Sequence, residues 1–256
     1  MKKLYFIFTL CLIWSAFSSI YSQSQPNIRI KVMTFNIRSA EPDFVAQPYI
    51  DLIKKHLPDL ISFQEVEVNT SRVGKKDIIV EIASKTGMFP LFAPAYKKDI
   101  GKYGVAMLSR YPIINSHYQA LPKLGSDPRV ALFAEVLLPP GFKTKFISVH
   151  LDHKTSDEIK IQEAKPLYDK SVFARNMPVI MAGDFNMSSD GAIATKLKEN
   201  YDRMCNDEYT FEWGSKLDYI FSYPKGRWKI VKSSVLYETE KLSDHYPVFS
   251  EIEFTP

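Results

Sequence analysis

Four apolar runs along the chain end abruptly in polar residues. They read KVMTFN up to Asn36, PDLISFQE up to Glu65, KFISVH up to His150, and PVIMAGDFN through Asp184 to Asn186. Short runs rich in Val, Ile and Phe predict buried strands. Because such strands are rigid and end at a sheet's edge, the polar groups that follow them are predicted to converge there.

The remaining pattern predicts how strands and helices are arranged. Apolar residues at helical spacing predict helices over 45–57, 76–86 and 192–198, and Thr155 with Glu158 predicts a capped helix to about residue 173, interrupted at Pro166. Further strands are predicted at 59–66, 103–110, 116–121, 130–138, 142–151, 177–185, 217–223, 228–237 and 246–254. Loops that set specificity are predicted at 69–76, 95–102, 119–128 and 201–214. About ten strands with few helices predict an α/β (α+β) fold, a four-layer sandwich of two packed mixed β-sheets flanked by helices.

The N-terminus has the layout of a secretory signal peptide. Lys2 and Lys3 precede an apolar run that is too short for a confident membrane span, and a polar stretch follows. We therefore predict a signal peptide at 1–24, one catalytic domain at 25–256, and export to the periplasm, the outer surface or the medium. Cys205 is the only cysteine outside that segment, so stability must come from packing.

The charge of the chain is nearly balanced. The sequence has 33 basic and 29 acidic residues, and two of the basic ones lie in the signal segment. This composition argues against a broad electrostatic grip on nucleic acid, although a nuclease with a local basic cleft stays open. We expect a monomer without an obligate protein partner.

Three polar residues suit a metal site. A hard cation such as Mg²⁺ prefers oxygen ligands, and Glu65 supplies a carboxylate beside the amide of Asn36. Asn36 either binds the metal or orients Glu65 and a phosphate oxygen. In the segment KLSDH, neighbouring residues point to opposite sides, which assigns Asp244 to the metal and His245 to phosphate or water. Mg²⁺ is the predicted cofactor, with Mn²⁺ or Ca²⁺ as alternatives.

The other polar residues suit the handling of water and protons. Asp184 and Asn186 alternate on a segment that is predicted to be extended, so they would point the same way, and Asp184 is a candidate for activating water. His245 changes charge near neutral pH, and Asp218 is placed to fix its tautomer. His150 is predicted to protonate the leaving oxygen or to stabilise phosphoryl charge.

The stretches TFNIR, LISFQEV, SVHLDH, VIMAGDFN, KLDYIF and SDHYPV occur in an order that resembles the endonuclease/exonuclease/phosphatase superfamily. The resemblance covers essentially the whole mature chain and implies a four-layer sandwich. It implies that Glu65, Asn36 and Asp244 serve the metal, that Asp184 and Asn186 position water and phosphate, and that His150, Asp218 and His245 are catalytic. It also suggests phosphate contacts from Tyr103 and Arg129. Arg38 and His150 resemble the DNase, sphingomyelinase and small exported phosphodiesterase side of the family.

The sequence thus predicts a metal-dependent phosphoesterase in which an activated water attacks a phosphodiester or phosphomonoester. The alternatives are a catalytically silent binding protein with the same fold and, within the fold, a nuclease or a phospholipid-type phosphodiesterase. The substrate is a phosphate ester, with nucleic acid or a lipid headgroup possible.

Overall fold

The computed structural model describes residues 27–38, 44–154, 156–173, 177–239 and 242–255. The signal peptide at 1–24 and the helix start at Thr155 lie outside these residues and stay predictions. Among the helices described, none is long and apolar enough to cross a bilayer.

Twelve strands form two six-stranded sheets in the described part of the chain. They are β1 Ile28–Asn36, β2 Leu60–Val68, β3 Phe89–Lys98, β4 Gly101–Ser109, β5 Ile113–Ala120, β6 Val130–Leu138, β7 Phe142–His150, β8 Val179–Asp184, β9 Asp202–Arg203, β10 Asp218–Tyr223, β11 Trp228–Val235 and β12 Val248–Phe254. The first sheet has the order β11-β12-β1-β2-β4-β3 and the second the order β5-β6-β7-β8-β10-β9. Each is mixed, because β1–β2 and β7–β8 pair in parallel while their neighbours pair antiparallel.

Helices cover the outer faces of both sheets. They are α1 Gln47–His56, α2 Ile78–Thr86, α3 Asp157–Glu163, α4 Lys165–Tyr168 and α5 Ala192–Lys198. Ile53 of α1 and Ile82 of α2 share a buried cluster with Phe35 and Phe63 of the first sheet. Leu197 of α5 belongs to the larger buried cluster, which includes Ile180 and Phe221 of the second sheet. This arrangement confirms the predicted four-layer sandwich of two packed mixed sheets.

The parallel pairs at the centre of each sheet place the polar strand ends. Successive side chains of a strand alternate between faces, and in β1 Met33 and Phe35 join the helix-side cluster while Val32 joins the core with Leu60 and Ile180. Apolar burial on both faces explains why the central strands read as continuous apolar runs. Their carboxyl ends lie where the two packed sheets meet.

The structure corrects the predicted elements in two places. The interval 95–102 is not a loop, because β3 continues to Lys98 and β4 begins at Gly101. Pro90 and Pro94 make the sequence of β3 resemble a loop. The strand tolerates these prolines because β3 lies at the edge of its sheet. The helix predicted to about residue 173 ends at Tyr168, whereas its predicted interruption at Pro166 is confirmed, because α3 ends at Glu163 and α4 has Pro166 in its first turn.

Candidate active site

A β-bulge in β2 aims Glu65. The register between β2 and β4 shifts between Phe63 and Val66, and Glu65 itself has a φ of 56°. Left-handed backbone is uncommon for a residue other than glycine, and bulges redirect side chains beside active sites. Glu65 is half-buried at this irregularity, while its neighbour Gln64 is fully buried.

Asn36, at the end of β1, links the two sheets. Its Nδ2 donates to Asp184 Oδ2 at 3.0 Å and to Glu65 Oε1 at 3.3 Å. Its Oδ1 accepts from the backbone N–H of Arg38 at 3.1 Å. The amide nitrogen thus faces the two carboxylates, and of the two roles predicted for Asn36 this geometry favours orienting carboxylates over ligating a metal.

Asp184 lies at the end of β8, where the GDFN sequence fixes the local backbone. A side chain at Gly183 would place Cβ 2.1 Å from the carbonyl oxygen of Val149, so only glycine permits this approach of β7 and β8. Asp184 Oδ1 accepts from the backbone N–H of Asn186 at 2.9 Å. Burial, reinforced by the charge of Asp218, raises the pKa of Asp184 well above its ordinary value.

The extended segment predicted through Asn186 ends instead at Asp184. Asn186 has a φ of 46°, and its Nδ2 donates to the carbonyl of Leu151 at 3.0 Å. Strand alternation therefore does not align its side chain with that of Asp184. Asn186 is brought to the site as a backbone donor to the Asp184 carboxylate.

His245 and Asp218 form the hydrogen-bonded pair that the sequence predicted. His245 Nδ1 lies 2.9 Å from Asp218 Oδ2, and both residues are buried. His245 Nε2 then faces Asp184, with 3.8 Å between Nε2 and Oδ2. Burial lowers the pKa of His245, but the carboxylates of Asp218, Asp184 and Asp244 outweigh it and raise this pKa to about 10. His245 is therefore an imidazolium at neutral pH.

His150 is held by Arg129. Arg129 Nη1 lies 2.9 Å from His150 Nδ1, and since a guanidinium only donates, Nδ1 accepts and the proton of the neutral ring is on Nε2. That Nε2 lies 3.4 Å from Asp184 Oδ2. Burial and the charge of Arg129 lower the pKa of His150 well below its usual range. Of its two predicted roles, this state favours donating a hydrogen bond to phosphoryl charge over delivering a proton to the leaving oxygen.

Tyr103 is buried near the same charges. Burial and the Glu65 carboxylate raise the pKa of its hydroxyl, and Arg129 opposes them. The ring stacks on Tyr96, with 4.9 Å between centroids. The structure thus brings Tyr103 and Arg129 together beside Glu65 and His150, where both were predicted to contact phosphate.

The carboxylates of the site have the oxygen chemistry that a divalent cation requires. Asp244 Oδ2 lies 3.4 Å from Arg38 Nη1. The ligating atoms of Asp184, Asp218 and His245 lie within 4.8 Å of one another, but His245 Nδ1 is already engaged by Asp218. We therefore interpret that trio as a proton-handling group. Of the predicted metal residues, the structure brings Glu65 to Asn36 and Asp244 to Arg38.

Several buried polar residues that support the site carried no sequence signal of their own. Asp152 accepts hydrogen bonds from the backbone N–H groups of Ser126 and Asp127 at 2.9 and 3.1 Å, which fixes the loop before Arg129. Glu163 Oε2 accepts from the Asp152 N–H at 3.0 Å, and Lys160 Nζ donates to the carbonyl of Asn186. Helix α3 therefore holds the loops after β7 and β8 together. The capping box at Thr155 and Glu158 predicted α3 itself, but nothing in the sequence indicated that this helix supports the site.

Glu163 makes stability depend on pH. Burial raises the pKa of Glu163 from 4.5 to about 7 in the folded protein. The folded state therefore binds this proton more tightly than the unfolded state does. The resulting contribution to the free energy of unfolding is fully present below pH 4.5, declines as the pH rises towards 7 and is absent above it. We expect Glu163→Gln to remove this decline, which amounts to about 3 kcal/mol of unfolding free energy at most. Urea unfolding at pH 5, 6, 7 and 8 measures it. Glu158→Gln, on the exposed side of the same helix, should keep the wild-type decline; parallel curves for wild type and Glu163→Gln would contradict the assignment.

Comparison with known proteins agrees with this geometry. The sequence profile described as the Endonuclease/Exonuclease/phosphatase family matches residues 33–245. No match was found among curated protein sequences. Similar solved structures include an endonuclease/exonuclease/phosphatase from Beutenbergia cavernae DSM 12333, with a TM-score of 0.73 and 17% identity over 88% of this chain and 72% of that one.

Two further structures share the fold. The human Nocturnin catalytic domain with bound sulfate anion has a TM-score of 0.72 and 19% identity, over 90% of this chain and 97% of that one. A mannosyl-6-phosphatase from Bacteroides thetaiotaomicron VPI-5482 has a TM-score of 0.66 and 16% identity, over 87% of this chain and 99% of that one.

Proposed function

Because this chain belongs to the Endonuclease/Exonuclease/phosphatase family, we propose that it is a divalent-metal-dependent phosphoesterase in which water attacks phosphorus directly. The observation that carries the proposal is the buried His245–Asp218 pair facing Asp184, at 2.9 and 3.8 Å. Such a set can activate water and stabilise phosphoryl charge without a covalent intermediate.

Asp184 is the group that accepts the proton of the attacking water. Its raised pKa makes it a stronger base than an ordinary carboxylate, and Asn36 and the Asn186 backbone hold its two oxygens. As the water oxygen bonds to phosphorus, the bond to the leaving oxygen breaks and the water proton passes to Asp184. His245 has too high a pKa to be the base at neutral pH.

The histidines stabilise the charge that develops on phosphorus. The imidazolium of His245 offers Nε2–H, which can also return a proton to the leaving oxygen. The neutral ring of His150 offers a second N–H, fixed in orientation by Arg129. Preorganised donors of this kind lower the barrier because they need no reorganisation during the reaction.

Glu65 and Asp244 are the residues that we propose to hold the metal, with Asn36 orienting Glu65. A bound Mg²⁺ or Mn²⁺ supplies a Lewis acid that neutralises charge on a phosphoryl oxygen. Tyr103 and Arg129 line the same side and are proposed to contact the phosphate. Arg129 suits this role because its buried Nε has no hydrogen-bond partner among the described residues.

Relatives support a phosphate-ester substrate. One structural relative carries a sulfate anion and another is named a mannosyl-6-phosphatase. We also propose that the enzyme is exported through residues 1–24 and acts as a monomer, as the sequence predicts.

A hydrolysis panel tests the function. It comprises supercoiled DNA, single-stranded RNA, sphingomyelin, inositol phosphates, a hexose 6-phosphate and an aryl phosphodiester, each with Mg²⁺, Mn²⁺ or EDTA. We expect hydrolysis of at least one ester, with EDTA lowering the rate by at least about 100-fold because Lewis-acid stabilisation is lost. Activity unchanged by EDTA would contradict metal dependence, and no hydrolysis of any ester would favour the silent binding protein.

A further inference from the structure

The segment 206–216, between β9 and β10, exposes a tryptophan beside the active site. Trp213 is 82% exposed, whereas Trp228 is 3% exposed. Large aromatic side chains gain free energy by leaving water, and Phe211 beside this indole extends it into an aromatic surface that a ligand can cover.

The segment is held in place by its backbone. The N–H groups of Thr210 and Phe211 donate to the Ser215 carbonyl at 2.9 and 3.0 Å, and Gly214, with a φ of 83°, completes the turn. The segment is also hydrogen-bonded to the residue before the catalytic histidine, because the Glu212 N–H donates to the Asp244 carbonyl at 2.9 Å. The exposed indole is thus fixed relative to the site.

The Phe211 ring connects Trp213 to His245 through an edge-on contact with the indole and a tilted contact with the imidazole. The Phe211 ring lies 4.9 Å from the His245 ring and 5.2 Å from the Trp213 ring, measured between centroids. The indole is therefore one ring away from the imidazolium that faces the scissile phosphate. That separation suits a substrate whose ring follows its phosphate directly.

The charge of the segment restricts the substrate further. Asp207, Glu208 and Glu212 are exposed on it, and Lys216 is its one basic residue. Asp207 is paired with Arg203 at 2.6 Å, and the carboxylates of Glu208 and Glu212 repel a chain of phosphates such as nucleic acid. They do not repel an uncharged ring.

We infer that Trp213, supported by Phe211, is the seat for an uncharged ring next to the scissile phosphate, so that the substrate is a small ring-bearing phosphate ester. The ring presents a flat apolar face to the indole, and either a sugar or a nucleoside supplies that chemistry. The inference rests on the proposed phosphoesterase function and names its substrate class.

Steady-state kinetics of Trp213→Ala, Trp213→Phe and wild type test the seat. The substrates are a hexose 6-phosphate, a nucleoside 5′-monophosphate and the acyclic glycerol 3-phosphate. We expect Trp213→Ala to raise KM about 10-fold for the preferred ring-bearing ester, Trp213→Phe to restore most of the affinity, and neither to change KM for glycerol 3-phosphate. The preferred ring ester distinguishes a sugar from a nucleoside. Tyr118→Ala, which removes another exposed aromatic, on edge strand β5, is the control.

Calorimetric titration of the same esters in EDTA separates the two proposals. One outcome is that the protein binds ring-bearing esters, that Trp213→Ala weakens this binding, and that no ester is hydrolysed under any metal condition. That outcome would contradict the phosphoesterase function and support the role of Trp213 as the seat for the ring. Equal effects of Trp213→Ala on ring-bearing and acyclic esters, or no effect, would overturn the seat. A loss confined to sphingomyelin vesicles would also overturn it, in favour of an indole that contacts lipid.

Discussion

Replacing His245 by alanine is expected to lower kcat by about 10³-fold with the preferred ester. The imidazolium brings a positive charge to within 3.8 Å of Asp184 Oδ2, and the neutral ring of His150 can replace its N–H but not its charge. Asp218→Asn should cost less, about 10- to 100-fold, because it removes the group that fixes the ring and raises its pKa. Single-turnover rates under saturating metal measure both.

Loss of folding must be separated from loss of chemistry in this test. Alanine at His245 leaves the buried Asp218 carboxylate without its partner, which is destabilising. His245→Gln retains a polar side chain and should be equally inactive while unfolding at a midpoint close to that of wild type. His117→Ala, on the exposed strand β5, should keep full activity. A folded His245→Gln with a tenth or more of the wild-type kcat would refute the role.

Replacing Glu65 by glutamine is expected to weaken Mn²⁺ binding by at least about 100-fold and to lower kcat by about 10³-fold at fixed metal concentration. The change removes one negative charge but keeps the side-chain shape, and the amide oxygen can still accept from Asn36. Calorimetric titration with Mn²⁺ gives the affinity independently of turnover.

Glu135→Gln is the control for this substitution, because Glu135 is a half-buried glutamate of β6 outside the described site. It should leave both Mn²⁺ affinity and kcat unchanged. If Glu65→Gln bound Mn²⁺ as tightly as wild type, the metal would have to be held elsewhere, and the Asp184, Asp218 and His245 group would be the next set to test.

The central strands were predictable because both their faces are buried. β1, β2, β7 and β8 each contain an apolar run that stops at a polar residue, and these polar ends predict one site at the sheet edges. The pair of His245 and Asp218 followed from chemistry alone, since an imidazole that handles protons needs an orienting acid. The fold and the membership of the site were thus accessible from the sequence.

The orientation of the site residues was not accessible. The bulge at Glu65 and the left-handed Asn186 depend on how strands pair and end, which residue type does not encode. The contact between Arg129 and His150 joins two elements whose approach is set by the loop that Asp152 anchors. Strand β3 escaped prediction because its prolines resemble loop punctuation.

Each sheet supplies only part of the active site, and the parts meet through two hydrogen bonds. Asn36 of the first sheet reaches Asp184 of the second at 3.0 Å, and His245, on the segment leading into β12, reaches Asp218 of β10 at 2.9 Å. A compact intermediate that kept both sheets but loosened their mutual packing would retain its circular dichroism and have no assembled catalytic group. Turnover therefore reports on the packing between the two sheets. On progressive denaturation, activity should be lost before the circular dichroism of the secondary structure.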